Sequence, residues 1–318
     1  MSTDVLVLFE HPEWQKPLFA ALERRKVRFE AFDLKTAAFD PARLPEAKLV
    51  FNQASPSAYV RGHGRAVPLA MTLMRSFEAA GVPVLNGTRA FGLELSKAAQ
   101  VSLLHKLGLK APASIVFNDA DTLTARVPPS FRFPALLKPD QGGSGARMFE
   151  VKSVAEVNEV FRLQPEVLEP DPIFLLQEKL PLDPSFGIVR MEIIGGELLY
   201  AMRVVSHGGF NLCPSEICHP VDGTDGVCEV PVAAKVKPVE FYAYPEVPKH
   251  AVEAGQRLVR AAGLDVAGLE YVAVDGEPVF YDINANSNLR PAVAAEYGFD
   301  PFERVVDFLE AKLRQYAG

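Results

Sequence analysis

PALLKPDQGGSGARMFEV, residues 134–151, sets an apolar strand ending in Lys138 ahead of Gly142, Gly143, Ser144 and Gly145, with a second strand behind them. Backbone N–H groups in such a turn can follow phosphate oxygens closely, and Lys138 adds a point charge. In a P-loop the lysine follows the glycines and a helix comes next; here the lysine precedes them and a strand follows. The stretch therefore reads as a hairpin-type phosphate flap, with a glycine-rich surface loop as the plainer alternative.

Upstream of the flap, short apolar runs alternate with helical stretches: Val5–Phe9, Val27–Phe32, Leu49–Phe51, a helical pattern over 69–80, and Val82–Leu85. That order predicts an α/β layer on a parallel sheet. Residues 91–108 read as one helix stopped by Gly108, and a new unit opens near Pro112, with strands at 134–138, 146–151 and 173–180. Ser153, three residues ahead of Glu156, carries the spacing of a capping box.

Beyond residue 186 the pattern turns antiparallel. IVRMEII and ELLYAMRVV flank Gly195-Gly196, and GLEYVAV and PVFYDINA flank Asp275-Gly276. A loop centred on the paired glycines puts residue 190 opposite 201, and so Arg190 and Arg203 on one face, where two guanidinium groups suit phosphoryl oxygens or a carboxylate. Pairing with Glu192 is their structural alternative. In the second hairpin a three-residue loop, 275–277, sets Glu270 opposite Asp282, with Asn284 on the same face and Tyr281 on the other; a two-residue loop moves Glu270 away. Three such oxygen ligands suit Mg²⁺, and a solvated acidic hairpin is the alternative. Arg290 and Arg61 are further anchors for substrate or for structure, and residues 207–240 read as loops over a working surface.

The 318 residues, at roughly 100–200 per domain, suit two or three domains with real cores. A net charge of -7 without a basic run argues against a nucleic-acid binder. No apolar run reaches the roughly 18 residues of a membrane span. Three cysteines, Cys213, Cys218 and Cys228, together with an N-terminus lacking a basic leader, suggest a cytoplasmic protein. The six histidines form no HExxH pattern, Cys213, Cys218 and His219 lack an evident fourth zinc ligand, and no G-x-S-x-G nucleophile is present.

Taken in order over residues 58–315, these segments resemble the ATP-grasp superfamily, and within it the RimK-type carboxylate–amine ligases. The resemblance implies an α/β fold with an α+β lid: an N-terminal domain over 1–92 and an ATP-grasp domain over 93–318, with residues 112–180 as nucleotide lid and 186–318 as metal-bearing subdomain. It implies that Lys97 and Lys138 touch ATP phosphates under Gly142, Gly143, Ser144 and Gly145, and that Gln177, Glu178, Lys179 and Leu180 line the adenine. Asp183 stands in for a ribose contact, and Asn211 resembles an asparagine near metal and triphosphate. Arg190, Arg203 and Arg290 would handle substrate and phosphoryl groups. Glu270, Asp282 and Asn284 would hold Mg²⁺, with Mn²⁺ as an alternative ion.

The implied reaction joins a small-molecule or peptide carboxylate to an amine through an acyl phosphate, releasing ADP and phosphate; a homodimer is plausible on the same grounds. A kinase or a ligase with a non-amine acceptor, and a catalytically weak ATP-binding regulator, are the alternatives. Three departures from the family pattern stand out: Glu270 and Asp282 exchange the usual acid types, Ile188 replaces an acid, and Ser287-Asn288 replaces Pro-Gly.

Overall fold

A computed structural model describes residues 3–208, 212 and 239–316. Asn211, all three cysteines and His219 lie outside the described residues.

The N-terminal layer is a parallel sheet ordered β2-β1-β3-β4, formed by β1 (Thr3–Phe9), β2 (Phe29–Asp33), β3 (Ala47–Gln53) and β4 (Val84–Leu85). Helix α1 (Pro12–Arg24) follows β1, and α2 (Ala66–Ala79) follows β3 after a tight 3₁₀ turn at Pro56–Arg61. Near-continuous apolar runs such as Val5–Leu8 and Leu49–Phe51 are buried, as a parallel sheet covered on both faces requires. Leu73, Met74 and Phe77 of α2 pack on one face.

The helix expected over 91–108 is two helices, α3 (Thr88–Glu94) and α4 (Lys97–Lys106). Ser96 breaks it, because its hydroxyl caps α4 by accepting from Ala99 N (3.1 Å). The cap places Lys97 at the first turn of α4, where the Asp140 carboxylate also accepts from Ala98 N at 2.7 Å.

The lid follows: β5 (Ser114–Phe117), α5 (Ala120–Leu123), β6 (Ala135–Pro139), β7 (Phe149–Val151), α6 (Val154–Leu163) and β8 (Phe174–Glu178). Its strands form an antiparallel sheet ordered β5-β8-β6-β7. Phe117, Phe174 and Val157 center its own core, and Ser153 caps α6 through Glu156 N.

The C-terminal unit contains β9 (Ile188–Ile194), β10 (Glu197–Ser206), β11 (Val239–Ala243), α7 (Lys249–Ala262), β12 (Val266–Val274), β13 (Glu277–Asn284), α8 (Pro291–Glu296) and α9 (Pro301–Tyr316). The sheet order is β11-β10-β9-β12-β13, antiparallel throughout. Helix α7 covers one face with Ala251, Leu258 and Val259, and Gly263 ends it at φ +73°, a left-handed C-cap. Helix α9 packs on α1, burying Val305, Val306 and Leu309 with Leu18, Leu22 and β1. Arg24 and Arg25 bridge to Glu303, Asp307 and Glu310 along that seam.

Two registers differ from expectation, each through one extra residue. In β9–β10 the turn is Gly195-Gly196, but an irregularity at Leu199 shifts the pairing so that Arg190 faces Met202 and Arg203 faces Val189. The two arginines therefore stand on opposite faces. In β12–β13 the loop is the two-residue Asp275-Gly276, with both residues at positive φ. A bulge at Tyr281 restores what that loop removes, and Glu270 lies opposite Asp282 after all. Among the described residues, no helix is long and apolar enough to cross a membrane.

Candidate functional site

A cavity of about 340 Å³ lies between the lid sheet and the C-terminal sheet, and the N-terminal layer closes one end. Leu136, Met148, Leu180, Leu182, Ile188 and Val272 supply apolar lining. Gln177, Glu178 and Lys179 border it; strand pairing stops at Glu178, so the backbone of 179–180 runs on beyond the ladder. The side chains here are held elsewhere: Gln177 Nε2 donates to Ser114 Oγ (2.8 Å), Glu178 Oε1 accepts from Arg132 N (3.2 Å) and Lys179 Nζ meets Glu150 (2.6 Å).

Toward the middle, β6 supplies Lys138 and the first turn of α4 supplies Lys97. Both are buried, and Lys97 donates to Asp282 Oδ1. Burial, with the Lys97 charge beside it, pushes Lys138 down to about 7. Burial acts on Lys97 too, but Asp282 outweighs it and holds Lys97 above its ordinary value.

The opposing strands deliver the acids. Burial raises Glu270, and Asp282 adds to that against the pull of Arg190. Asp282 is held below the usual range because Lys97 and Lys138 outweigh its burial. Lys97 and Lys138 therefore face Glu270 and Asp282 within one buried space, Lys97 paired with Asp282 and each like-charged neighbour shifting the other. Asn284 Nδ2 lies 3.3 Å from Asp282 Oδ2. Two carboxylates and an amide oxygen fit Mg²⁺, which retains waters and takes phosphate oxygens as further ligands. Among the described residues, no three His, Cys, Asp or Glu side chains form a metal cluster of their own.

Beneath the acids, Arg190 donates to Glu192 Oε1 (2.6 Å), Glu270 Oε1 (2.6 Å) and Ser287 Oγ (3.2 Å). Ser287 Oγ donates in turn to Glu192, and Tyr281 OH donates to Glu270 Oε2 (2.7 Å). Gly268 makes room for this guanidinium, since a Cβ there would strike it. Arg190 is thus a buried strut that aims Glu270. Tyr281, expected on the far face, reaches the cavity because of the bulge.

The flap sits down on the N-terminal layer. A Cβ on Gly143 would lie 2.6 Å from Ser57 Cβ, and Gly142 packs on the Lys97 stem. Ser144 and Gly145 adopt positive φ on the cavity wall. Arg147 braces the base, donating to Val167 O (2.8 Å) and Gln141 O (2.9 Å) and lying 4.8 Å from the Tyr59 ring.

Three expected residues are not on the wall. Arg203 is turned to the opposite face by the Leu199 irregularity and stacks between Phe186 and Tyr242; Val204 takes the cavity position instead. Arg290 precedes α8, and its guanidinium lies 4.1 Å from the Phe241 ring. The Asp183 carboxylate closes its own turn by accepting from Ser185 N (2.8 Å) and Oγ (2.7 Å). Arg61 is buried behind the wall against Glu10. Conversely, Trp14, Ser55, Ser57, Glu94 and Asn286 line the cavity without having been singled out in the sequence. They carry no motif and meet only through the tertiary fold.

No protein-family profile matches the chain. A probable alpha-L-glutamate ligase of Haemophilus influenzae is 22% identical over 243 residues, 75% of this chain and 70% of that protein. Among solved structures, the ATP-grasp ligase PsnB, in complex with a phosphomimetic variant of its minimal precursor, Mg and ADP, superposes with a TM-score of 0.66 at 20% identity, covering 98% of this chain and 99% of that one. A RimK domain protein from Sphaerobacter thermophilus gives 0.68 at 16%, covering 96% and 99%. D-alanine–D-alanine ligase from Bacillus anthracis gives 0.68 at 15%, covering 99% of each chain. A parallel layer, an antiparallel lid and an antiparallel sheet around one cavity, shared nearly end to end with these ligases, mean that this chain has the ATP-grasp fold.

Proposed function

We propose that the protein is an ATP-dependent ligase that joins a carboxylate to an amine. The observation that carries this reading is the pairing, in one buried cavity under a glycine flap, of Lys97 and Lys138 with Glu270, Asp282 and Asn284. The like charges repel within each pair, and a nucleotide triphosphate with Mg²⁺ supplies the anion for the lysines and the cation for the acids. Glu270, Asp282 and Asn284 would hold the metal, which when bound neutralises phosphoryl oxygens. The apolar lining beside Gln177–Leu180 suits a planar base, with the backbone of 179–180 as its hydrogen-bonding edge.

In the reaction a substrate carboxylate oxygen bonds to the γ-phosphorus and ADP departs with the electron pair of the broken P–O bond. The neutral amine nitrogen then bonds to the acyl carbon, phosphate leaves with the C–O pair, and one proton passes from the nitrogen to solvent or to the departing phosphate. Lys138 and Lys97 hold the phosphates in line, and the Gly142–Gly145 flap keeps water from the acyl phosphate. Peptide or small-molecule substrates both suit this chemistry, and the PsnB complex holds a precursor.

A catalytically weak nucleotide-binding protein has one observation in its favour. Arg190 is neutralised by Glu192 and Glu270, and Arg203 and Arg290 lie off the wall. Screening ADP release against pooled carboxylates and amines, with product masses, decides between them. A product equal to the two substrates minus water supports the ligase; tight ADP binding with no turnover anywhere in the pool supports the regulator, and a stable phosphorylated product indicates a kinase.

A further inference from the structure

Asp140 ties the lid to the first turn of α4. The N–H groups of Lys97, Ala98 and Ala99 open that turn, and all three are taken: the Asp140 carbonyl accepts from Lys97 N (3.2 Å), the Asp140 carboxylate from Ala98 N (2.7 Å) and Ser96 Oγ from Ala99 N (3.1 Å). Ser96 is the helix's own N-cap, whereas Asp140 comes from the lid, directly after β6. A carboxylate placed there satisfies an orphan donor and meets the positive end of the helix dipole.

Both sides of this joint are anchored. On the lid side, Asp140 N donates to Ile173 O (2.8 Å) just before β8, and Gln141 N donates to Asp171 Oδ2 (2.8 Å). On the other side, Gln100 of α4 accepts from Ile283 N and donates to Ile283 O, each at 3.0 Å, which fastens the helix to β13 beside Asp282. The joint also lies between the two lysines. Lys138 stands two residues before Asp140 on β6, and Lys97 gives Asp140 its own N–H. Two residues further on, a Cβ at Gly142 would lie 3.0 Å from Lys97 Cε, so the flap starts against the same side chain. Lys138 and Lys97 thus line one cavity from different units, the lid and α4. Their like charges favour drawing the two units apart, and the Asp140 hydrogen bonds oppose it.

We propose that Asp140 is a positioning residue: by fastening the lid to the first turn of α4 it sets the spacing of Lys138 from Lys97, so that one phosphate chain meets both. Asp140 acts through the lysines and touches no phosphate itself. With its N–H groups already taken, the helix terminus leaves the phosphates to the lysine side chains and the flap. This inference rests on the nucleotide reading and adds to it the residue that holds the two lysines in register.

The test is a double-mutant cycle on the full chain, with ADP affinity in MgCl₂ measured by calorimetry. Asp140→Ala is expected to weaken ADP about tenfold or more, and Asp140→Asn, which keeps an oxygen for Ala98 N, less than about threefold. Lys138→Met is expected to cost about tenfold or more, and adding Asp140→Ala to it less than about threefold further, because the lysine through which Asp140 acts is gone. Ser96→Ala removes the neighbouring cap of the same turn without touching the lid; it is expected to lower the urea midpoint as Asp140→Ala does, yet to leave ADP affinity within about twofold. Unchanged ADP affinity in Asp140→Ala, a full tenfold loss added to Lys138→Met, or an equal loss in Ser96→Ala overturns the proposal, the last by making Asp140 a helix cap alone. If Asp140→Ala does not fold, Asp140→Glu, which keeps the charge and lengthens the joint by one methylene group, decides together with Asp140→Asn: ADP about fivefold weaker or more in the first and less than about threefold in the second is expected, and equal affinities overturn the joint. A wild-type chain that binds no ADP defeats the nucleotide reading and this inference with it, a result distinct from normal wild-type binding with an uncoupled cycle.

Discussion

The hairpins β9–β10 and β12–β13 share a two-residue turn, a neighbouring place in one sheet, and one extra residue in the second strand, yet the extra residue has opposite consequences. At Tyr281 it turns Glu270 and Asp282 toward each other. At Leu199 it sends Arg203 to the far face and leaves Val204 in the cavity. Side-chain period in a strand is two, so a single inserted residue reverses the face of everything beyond it. The lesson is that two residues matched by spacing in sequence share a site only if the ladder between them is unbroken.

The largest effect expected on this comparison is from Arg190→Ala. Removing the strut leaves Glu192 and Glu270 buried without their cation, and about 3–5 kcal/mol of stability should be lost in urea titrations. A loss under about 1 kcal/mol would show that the β9 face is not organised by this ion network.

Asp282→Asn comes next, at about 100-fold or about 2.7 kcal/mol in the rate of ADP formation, once substrates are in hand. Its Mg²⁺-dependent ADP affinity should fall in step. Unchanged Mg²⁺ dependence would mean that the bulge at Tyr281 brings the acids together for structure alone.

Lys138 titrates the same region. Its folded value of about 7 lies below the ordinary 10.5. From pH 7 to 10.5 the unfolded chain therefore holds a proton that the folded chain has released, and this group's contribution to stability rises with pH across that window. A bound phosphate favours the charged lysine. ADP affinity should be flat below pH 7 and fall above it toward about tenfold per pH unit, about 1.4 kcal/mol, the limit for one linked proton. Calorimetry in buffers of different ionisation enthalpy should show proton uptake at pH 8 and none at pH 6.

The smallest effect belongs to Arg203→Ala, which should leave ADP affinity within twofold and cost about 0.5–1 kcal/mol of stability through its lost stacking on Phe186 and Tyr242. A tenfold loss of ADP affinity would place Arg203 back at the cavity and remove the contrast between the hairpins.

The pattern of what could be read in sequence follows the range of the interactions. The flap, Lys138 and the three C-terminal oxygen donors were legible because each lies within a local strand–turn–strand unit whose glycines and alternation carry the signal. The parallel layer was legible from its apolar runs. The bulges were not, since neither Leu199 nor Tyr281 has the glycine that marks some bulged positions. Helix α4 looked continuous with α3 because Ser96 is tolerated in a helix, and only its cap to Ala99 shows the break. Glu94, Asn286 and Trp14 are far apart in sequence and meet through layer packing, so no local spacing could have joined them.

The seam between α1 and α9 has a consequence for biosynthesis. Arg24 and Glu303 are 279 residues apart, and the apolar face of the β1 layer is covered in part by Val305, Val306 and Leu309. A nascent chain emerging from the ribosome must carry that face uncovered until α9 appears. The layer that closes one end of the cavity is thus completed late, and ribosome-bound chains stalled before residue 301 should be the species that most engage chaperones.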